Sequence, residues 1–253
     1  MIVTLTTDFG WSEYVGAMKG VILSIAPSVR IVDITHSIRS YDIRHGAYVV
    51  ASVCSRFPEG SIHVVVVDPG VGTERRGVLV EAGGHRYVGP DNGVFTFLKD
   101  VRRVIELRVE AASRTFHGRD VFAPVAAKLA SGSEPEELGT EVEPELVKLS
   151  IRQPRRTGRW IEGEVLCVDT FGNVITNIPE EMLGVRFGAE LEVQVGLRRL
   201  RLPFLESYGF AEPGRMLALI GSEGYLELAV NRGSAGSMLG VQGGERLRVC
   251  EVF

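Results

Sequence analysis

A run of four valines, Val64–Val67, is the feature that most restricts the fold of this 253-residue chain. Consecutive β-branched residues without alternation are typical of a strand buried on both faces, as in a parallel sheet covered by helices. The run ends at Asp68 and continues into the turn Pro69–Arg76, which carries two arginines. Because ligand sites of open α/β sheets lie at the carboxyl ends of strands, we expect Asp68 at a functional edge.

The first half of the chain alternates between strand and helix patterns. Asp42 suits the N-cap of the second helix. Strands are predicted at 2–7, 30–34 and 62–68, with further short strands near 77–81 and 86–88, and helices at 13–25, 42–57 and 121–130. This order implies right-handed crossovers, and it predicts an α/β domain with a largely parallel sheet.

The pattern changes after about residue 150, where the polar, turn-rich stretch 153–158 is predicted to be a linker. Short strands then follow closely at 163–168, 173–178, 189–195, 199–202, 216–220, 225–230 and 246–252, with one helical patch at 179–183. Many short strands with Gly-rich turns predict a small β-barrel or sandwich. We therefore expect two domains, 1–157 and 158–253.

Composition restricts the class of protein. With 45% hydrophobic and 24% charged residues, the chain is typical of a soluble globular protein. The net charge of −4 gives no electrostatic reason to expect nucleic acid as a partner. No apolar run approaches the roughly 18 residues of a membrane span, and no signal peptide is evident. Cys54, Cys167 and Cys250 lack metal-ligand spacing, so we expect buried free thiols in the cytoplasm.

The basic residues are strongly biased towards arginine, with only four lysines among 28 basic residues. Asn and Gln are also scarce. Few thermolabile amides together with many Arg and Glu residues are typical of a thermophile, although a GC-rich genome also favours arginine. The sequence therefore favours a thermophilic source.

Polar clusters lie at predicted strand ends and in Gly-rich turns, at 6–10, 68–76, 90–93, 115–120, 168–173 and 221–225. Taken singly, each is more often a structural turn than a site, since Asp, Asn and Gly favour turns for local reasons. Among the five histidines, His117 has the setting that best suits catalysis, because it lies between Phe116 and Gly118.

Six motifs occur in a fixed order: Thr6–Gly10, Asp68–Thr73, Pro90–Gly93, Phe116–Asp120, Phe171–Asn173 and Asn231–Gly233. Together they resemble the S-adenosylmethionine (SAM) hydroxide adenosyltransferase family, the relatives of the fluorinating and chlorinating enzymes that attack the same substrate. The resemblance covers almost the whole chain. It implies an N-terminal α/β domain followed by a C-terminal β-barrel. It also implies a homotrimer, with each active site between the N-terminal domain of one subunit and the barrel of the next.

The resemblance implies hydrolysis of SAM to adenosine and methionine without a cofactor. Hydroxide-type members carry an Asp, an Arg and a His that the halogenases lack, and Asp68, Arg75 and His117 stand at those positions. Water rather than halide is therefore the expected nucleophile. A carboxylate or an imidazole can take the proton from water, whereas an arginine stays protonated and can orient the carboxylate. The sequence leaves open whether Asp68 or His117 accepts the proton.

Contacts with the nucleoside are also implied by the resemblance. Asp8 corresponds to the ribose-binding Asp of the family, whose two oxygens can accept both sugar hydroxyls. Phe171 and Asn173 correspond to the adenine site, where a ring stacks and an amide reads the base edge. Tyr208 corresponds to a second aromatic wall.

At the methionine end, the resemblance implies that Asp169 meets the ammonium group and Ser222 meets the carboxylate. The chain departs from the family pattern at two positions. Glu13 stands where many relatives have Asp. Glu223 stands where a halogenase has an Arg for the methionine carboxylate, so we expect that carboxylate to be held differently here.

Three other functions compete with SAM hydrolysis. A Rossmann-type oxidoreductase needs G-x-G-x-x-G after a strand, and the stretch Gly70–Arg75 lacks the third glycine. A metal-dependent hydrolase would use Asp8, Asp68, Asp91 and His117, although no ligand-spacing motif supports it. A non-catalytic sensor of adenosine or SAM would have no need of Asp68, Arg75 and His117 together.

Overall fold

The computed structural model describes residues 1–108 and 112–252. By its contacts the chain divides into two compact units, of which the first ends at Leu149 and the second begins at Ser150. Each unit has its own hydrophobic core. Within the described ranges, no helix has both the length and the apolar character needed to cross a membrane. The three cysteines are buried and free, as predicted.

The described residues of the first unit form seven strands and four α-helices. In chain order they are β1 Ile2–Thr7, α1 Glu13–Ile25, β2 Arg30–Thr35, α2 Ile43–Val53, β3 Ile62–Val66, β4 Gly77–Ala82, β5 His85–Pro90, β6 Val101–Leu107, α3 Ala123–Ala130, α4 Pro135–Leu138 and β7 Gly139–Val142. The predicted bounds of β1 and α1 are confirmed. Asp42 caps α2 by accepting from the His45 amide at 2.9 Å. Sequence patterns do not predict β6, β7 or α4.

The sheet of the first unit has the strand order β2-β1-β3-β5-β4-β6-β7. The four strands β2, β1, β3 and β5 pair in parallel, which confirms the predicted α/β architecture. Strands β4, β6 and β7 add antiparallel pairings. The switch in direction follows from the two-residue turn Gly83–Gly84, because such a short connection joins only antiparallel strands.

Helices cover both faces of this sheet, as the valine run predicts. Val64 and Val66 share a core with residues of α1 and α3, whereas Val65 belongs to a second core with residues of α2. Alternate residues of a strand point to opposite faces, so the two cores lie on opposite sides of β3. All four valines are at most 3% exposed. Asp68 therefore follows a strand that is fixed on both faces.

In the second unit, residues 150–252 form eight strands and two short α-helices. In chain order they are β8 Arg155–Thr157, β9 Trp160–Val168, β10 Val174–Pro179, α5 Glu180–Leu183, β11 Glu190–Val195, β12 Arg198–Pro203, β13 Met216–Ile220, β14 Tyr225–Val230, α6 Ala235–Leu239 and β15 Arg246–Glu251. Residues 153–158, expected to be a linker, contain β8, which pairs with β9. The domain limits 1–157 and 158–253 stay a prediction.

Seven strands of the second unit form an antiparallel path in the order β12-β11-β15-β9-β10-β14-β13. The two ends of this path approach each other, because Phe204, just after β12, forms a bridge with Ala218 in β13. The result is a nearly closed barrel whose apolar interior comes from alternate strand residues. The predicted all-β barrel is thus confirmed.

Candidate active site

Asp68 lies in the turn that follows β3, at the carboxyl edge of the parallel strands. This turn depends on Gly72, whose φ of +77° lies in the left-handed region. A Cβ atom on Gly72 would lie only 2.3 Å from the backbone oxygen of Arg114. The turn therefore tolerates no side chain at Gly72, and it brings Arg75 back towards Asp68.

Arg75 joins Asp68 to His117. Its Nε donates to Asp68 Oδ1 at 3.0 Å, and its Nη2 donates to Asp68 Oδ2. The same Nη2 lies 2.9 Å from His117 Nδ1. All three side chains are largely buried. The structure thus brings together the three residues predicted to act on water, although His117 comes from a distant part of the sequence.

The contact with Arg75 determines which nitrogen of His117 carries the proton. A guanidinium only donates hydrogen bonds, so His117 Nδ1 is the acceptor and the neutral ring has its hydrogen on Nε2. Burial lowers the pKa of His117, and the charge of Arg75 lowers it further, while Asp68 and Asp120 act in the opposite direction. His117 is therefore neutral at pH 7, with its basic nitrogen already occupied.

One donor of this cluster is still available to a ligand. Arg75 Nη1 is buried and has no hydrogen-bond partner among the described residues. The guanidinium lies over the ring of Phe122, with its Cζ 5.4 Å from the ring centroid. Phe122 ends the π-helical turn Gly118–Phe122, which follows His117 directly and leads into α3. Such turns occur often at functional sites, and this one supports both His117 and Arg75.

Asp8 follows β1, also at the carboxyl edge of the sheet. Its Oδ2 accepts a hydrogen bond from the backbone N–H of Tyr41 at 2.7 Å. Burial raises the pKa of Asp8 and the charge of Asp68 raises it further, whereas the Tyr41 N–H opposes the shift. Tyr41 has a φ of +68°, which is uncommon for a residue other than glycine. Sequence patterns gave no indication of this contact.

The Pro90–Gly93 motif supports the turn after β3. Asn92 Nδ2 donates to the backbone oxygen of Val67 at 2.9 Å, next to Asp68. The Asp91 carboxylate accepts from Arg76 Nη2 at 2.5 Å and from a backbone N–H at 2.9 Å. In the part of the chain that the structure describes, no group of three or more His, Cys, Asp or Glu side chains could hold a metal ion.

A second polar cluster lies in the barrel, at the turn between β9 and β10. Asp169 Oδ1 accepts from the backbone N–H groups of Phe171 at 2.9 Å and Asn173 at 2.8 Å. These hydrogen bonds from backbone N–H groups of the turn to the Asp169 side chain stabilise the turn. The Phe171 ring is 79% exposed, which is unusual for a large aromatic side chain. The turn thus presents an open aromatic face beside a rigid polar group.

The Asn173 amide connects this turn to two further side chains. Its Nδ2 donates to Asp169 Oδ2 at 3.0 Å and to the Tyr208 hydroxyl at 3.4 Å. The Tyr208 hydroxyl donates to Glu227 Oε2 at 3.0 Å. Burial raises the pKa of Glu227, and Asp169 adds to this shift while the Tyr208 hydrogen bond opposes it. Burial, followed by the Glu227 charge, also raises the pKa of Tyr208.

Sequence analysis missed Glu227, although one signal was present. It is an acidic residue in the otherwise apolar β14, and it is only 7% exposed. A Cβ atom on Gly221 would lie 1.8 Å from Glu227 Oε1, so the turn at Gly221 packs directly on the carboxyl group. Ser222 and Glu223 follow in this turn, where the Ser222 hydroxyl donates to Glu223 at 3.5 Å. Both predicted residues therefore belong to the turn whose Gly221 packs on Glu227.

The chain matches two family models along most of its length. The model of the SAM hydroxide adenosyltransferase N-terminal domain matches residues 3–139, and the model of the C-terminal domain matches residues 163–248. An (R)-S-adenosyl-L-methionine hydrolase from Thermus thermophilus is 42% identical over 259 residues, covering 96% of this chain and 97% of its own. A protein of the same name from Methanocaldococcus jannaschii is 38% identical, covering 95% and 92%.

A solved structure shows the same fold. The crystal structure of an uncharacterized conserved protein from Thermotoga maritima matches with a TM-score of 0.88 and 37% sequence identity. The match covers 99% of this chain and 100% of that one. The similarity therefore extends over both units.

Proposed function

The chain belongs to the SAM hydroxide adenosyltransferase family, and we propose that it hydrolyses S-adenosyl-L-methionine to adenosine and L-methionine. The observation that carries this proposal is the buried cluster of Asp68, Arg75 and His117. Water attacks C5′, the C5′–S bond breaks with its electrons going to sulfur, and methionine leaves as a neutral thioether. The leaving group needs no proton, so the protein has to activate only the water.

We assign Asp68 as the base that accepts the proton from the attacking water. Each Asp68 oxygen accepts one hydrogen bond from Arg75 and keeps a further lone pair for the water. His117 is poorly placed to act as the base, since its Nδ1 accepts from Arg75 and its Nε2 carries a hydrogen. His117 instead holds the guanidinium, and its Nε2–H can orient the water.

Arg75 supports the reaction through its position and charge. A cation beside the water favours the negative charge that develops on oxygen as the proton leaves. Its buried Nη1 supplies a donor for that oxygen. Holding water in line with the C5′–S bond also removes an entropic barrier, which can reach about 7–11 kcal/mol in well-oriented systems. Arg75 thus orients Asp68 and His117 and stabilises the nucleophile.

Substrate contacts are proposed from the family resemblance and from the two clusters. Asp8 binds the ribose hydroxyls, held in place by the Tyr41 amide. In the barrel, Phe171 and Tyr208 are assigned to the faces of the adenine, and Asn173 to its edge. The remaining predicted residues are assigned to the methionine end, namely Asp169, Ser222 and Glu223.

We further propose a cytoplasmic homotrimer with active sites between subunits, from a thermophilic source. Two exposed aromatic side chains support a site completed by association, since Trp11 is 80% and Phe171 79% exposed. Large apolar side chains of this kind are removed from water when a partner subunit or a ligand covers them, which is favourable. Sedimentation of the purified protein should give the trimer mass. A monomer would contradict the composite site.

The test of the reaction is chromatography of SAM incubated with the protein in ¹⁸O-labelled water. We expect adenosine and methionine, with the label in the 5′-hydroxyl of adenosine, and no 5′-halonucleoside when chloride or fluoride is added. The matched control is Asp68→Asn, which keeps the shape of the side chain but removes the proposed base. Methylthioadenosine, S-adenosylhomocysteine or unlabelled adenosine as product would contradict the proposal.

A further inference from the structure

The amide of Asn173 has only one possible orientation in this structure. Asp169 Oδ2 is a carboxylate oxygen, so the Asn173 atom 3.0 Å away must be the amide nitrogen. Asp169 cannot rotate away, because its other oxygen accepts from the backbone N–H groups of Phe171 and Asn173. The Asn173 carbonyl oxygen therefore lies on the side of the amide that faces away from Asp169 Oδ2.

Tyr208 and Glu227 reinforce this orientation from the opposite direction. The Tyr208 hydroxyl donates its hydrogen to Glu227 Oε2 at 3.0 Å, so its oxygen faces Asn173 as an acceptor. A reversed amide would place two acceptor oxygens against each other at this contact. Gly221 packs on the Glu227 carboxyl and restricts its movement. Asp169 and Glu227 thus fix the amide from two sides.

The Asn173 carbonyl is the part of this network that is left for a ligand. Asn173 is only 6% exposed, yet its Oδ1 accepts no hydrogen bond from any residue that the structure describes. An exposed aromatic ring, that of Phe171, belongs to the same turn. An unpaired acceptor on a largely buried residue, close in the chain to an exposed aromatic ring, suits a flat heterocycle with an N–H donor at its edge.

We propose that Asp169 and, through Tyr208, Glu227 lock the Asn173 carbonyl towards the base, and that this makes the site selective for purines with an amino group at position 6. This inference rests on the proposed function, which assigns Asn173 to the adenine. A 6-amino group donates to the carbonyl. A 6-oxo group presents a second acceptor, and the locked amide cannot turn to satisfy it.

The first experiment measures binding of three nucleosides to the wild-type protein by calorimetry. Adenosine has a donor at position 6, purine riboside has no substituent there, and inosine has an acceptor. We expect affinity to fall in that order, with adenosine about 10- to 100-fold tighter than inosine, since an unpaired buried polar group is costly. Equal binding of adenosine and inosine would contradict the proposed fixing of the Asn173 amide, although it would still support a nucleoside site. No binding of any of the three would instead contradict the proposed function.

Two variants test the source of the selectivity. Asp169→Asn keeps the oxygen that holds the turn, but it directs an amide donor at Asn173 and so favours the reversed amide. We expect the preference for adenosine over inosine to fall to about threefold or less. Adding Glu227→Leu frees the Tyr208 hydroxyl to donate to the reversed amide, so the double variant should prefer inosine. Circular dichroism and thermal melting check that both variants fold. Unchanged selectivity in both folded variants would overturn the proposal.

Discussion

Replacing His117 can separate two roles, holding Arg75 and accepting the proton from water. In the structure, His117 Nδ1 accepts from Arg75 Nη2 at 2.9 Å. His117→Asn can present its amide oxygen near the position of Nδ1, so it keeps an acceptor for Arg75 and removes the imidazole. His117→Ala removes both. The two variants therefore differ mainly in the contact with Arg75.

The size of the expected effects follows from that contact. A hydrogen bond to a charged group contributes about 1.5–3 kcal/mol. If the whole of this free energy serves to position the guanidinium in the transition state, loss of the hydrogen bond lowers kcat by about 10- to 100-fold. We expect this loss for His117→Ala and less than about tenfold for His117→Asn. If His117 were the general base, both variants would lose about 10²–10⁴-fold.

The pH dependence gives an independent readout of His117. Burial and the charge of Arg75 lower its pKa, so the ring stays neutral until the pH falls below the usual range for histidine. Protonation of Nδ1 then breaks the bond to Arg75, and the rate falls on the acid side. We expect this acid limb in the wild-type kcat profile and a weaker one in His117→Asn. Equal, large losses in both variants would refute our assignment of the proton to Asp68.

Three further outcomes are expected. Asp68→Asn should lower turnover by about 10²–10⁴-fold while the Kd for SAM, measured by calorimetry, changes little, because the base acts on water rather than on substrate. Asp8→Ala should weaken binding of SAM and adenosine alike, by about tenfold or more for each lost hydrogen bond to a ribose hydroxyl. Unchanged adenosine binding would rule out Asp8 as the ribose ligand. Burial lowers the pKa of His63 to about 3, and His85 adds to this shift. Unfolding restores the ordinary pKa of His63, so the unfolded chain binds more protons, and stability is lost as the pH falls below about 6.5. Between pH 6.5 and 5 this one group should cost about 2 kcal/mol. Urea unfolding across this range should show a shallower pH slope for His63→Phe, and identical slopes would contradict the account.

The elements that the sequence predicts well are those with a strong hydrophobic period. β1, α1, β13 and β14 have the predicted bounds, because their apolar residues follow the strand or helix spacing without interruption. The strands missed in the first unit lack this signal. In β6, two arginines and a glutamate interrupt the apolar residues, and β7 has only four residues. Pairing with β4 stabilises β6, and that long-range contact has no local signature.

The candidate site also contains some contacts that the sequence predicts and others that it does not. Asp68 and Arg75 lie seven residues apart across a glycine turn, so their proximity could be expected from the sequence. His117 meets them from 42 residues beyond Arg75, and only the family resemblance indicated that meeting. Glu227 was missed because a single acidic residue in an apolar strand has no distinctive spacing. Its partner Tyr208 comes from a short turn 19 residues earlier.

In both clusters, the one around Arg75 and the one around Asp169, a charged residue fixes the hydrogen-bonding role of a neutral neighbour. The spacing of residues in the sequence does not show this. A neutral imidazole and an amide can each present either a donor or an acceptor, so the residue type leaves the chemistry of the site ambiguous. A charged partner removes this ambiguity, because a guanidinium only donates and a carboxylate only accepts. Arg75 thereby fixes the tautomer of His117, and Asp169 fixes the amide of Asn173. Replacing Arg75 by a neutral residue should therefore lower turnover, and Asp169→Asn should change base selectivity.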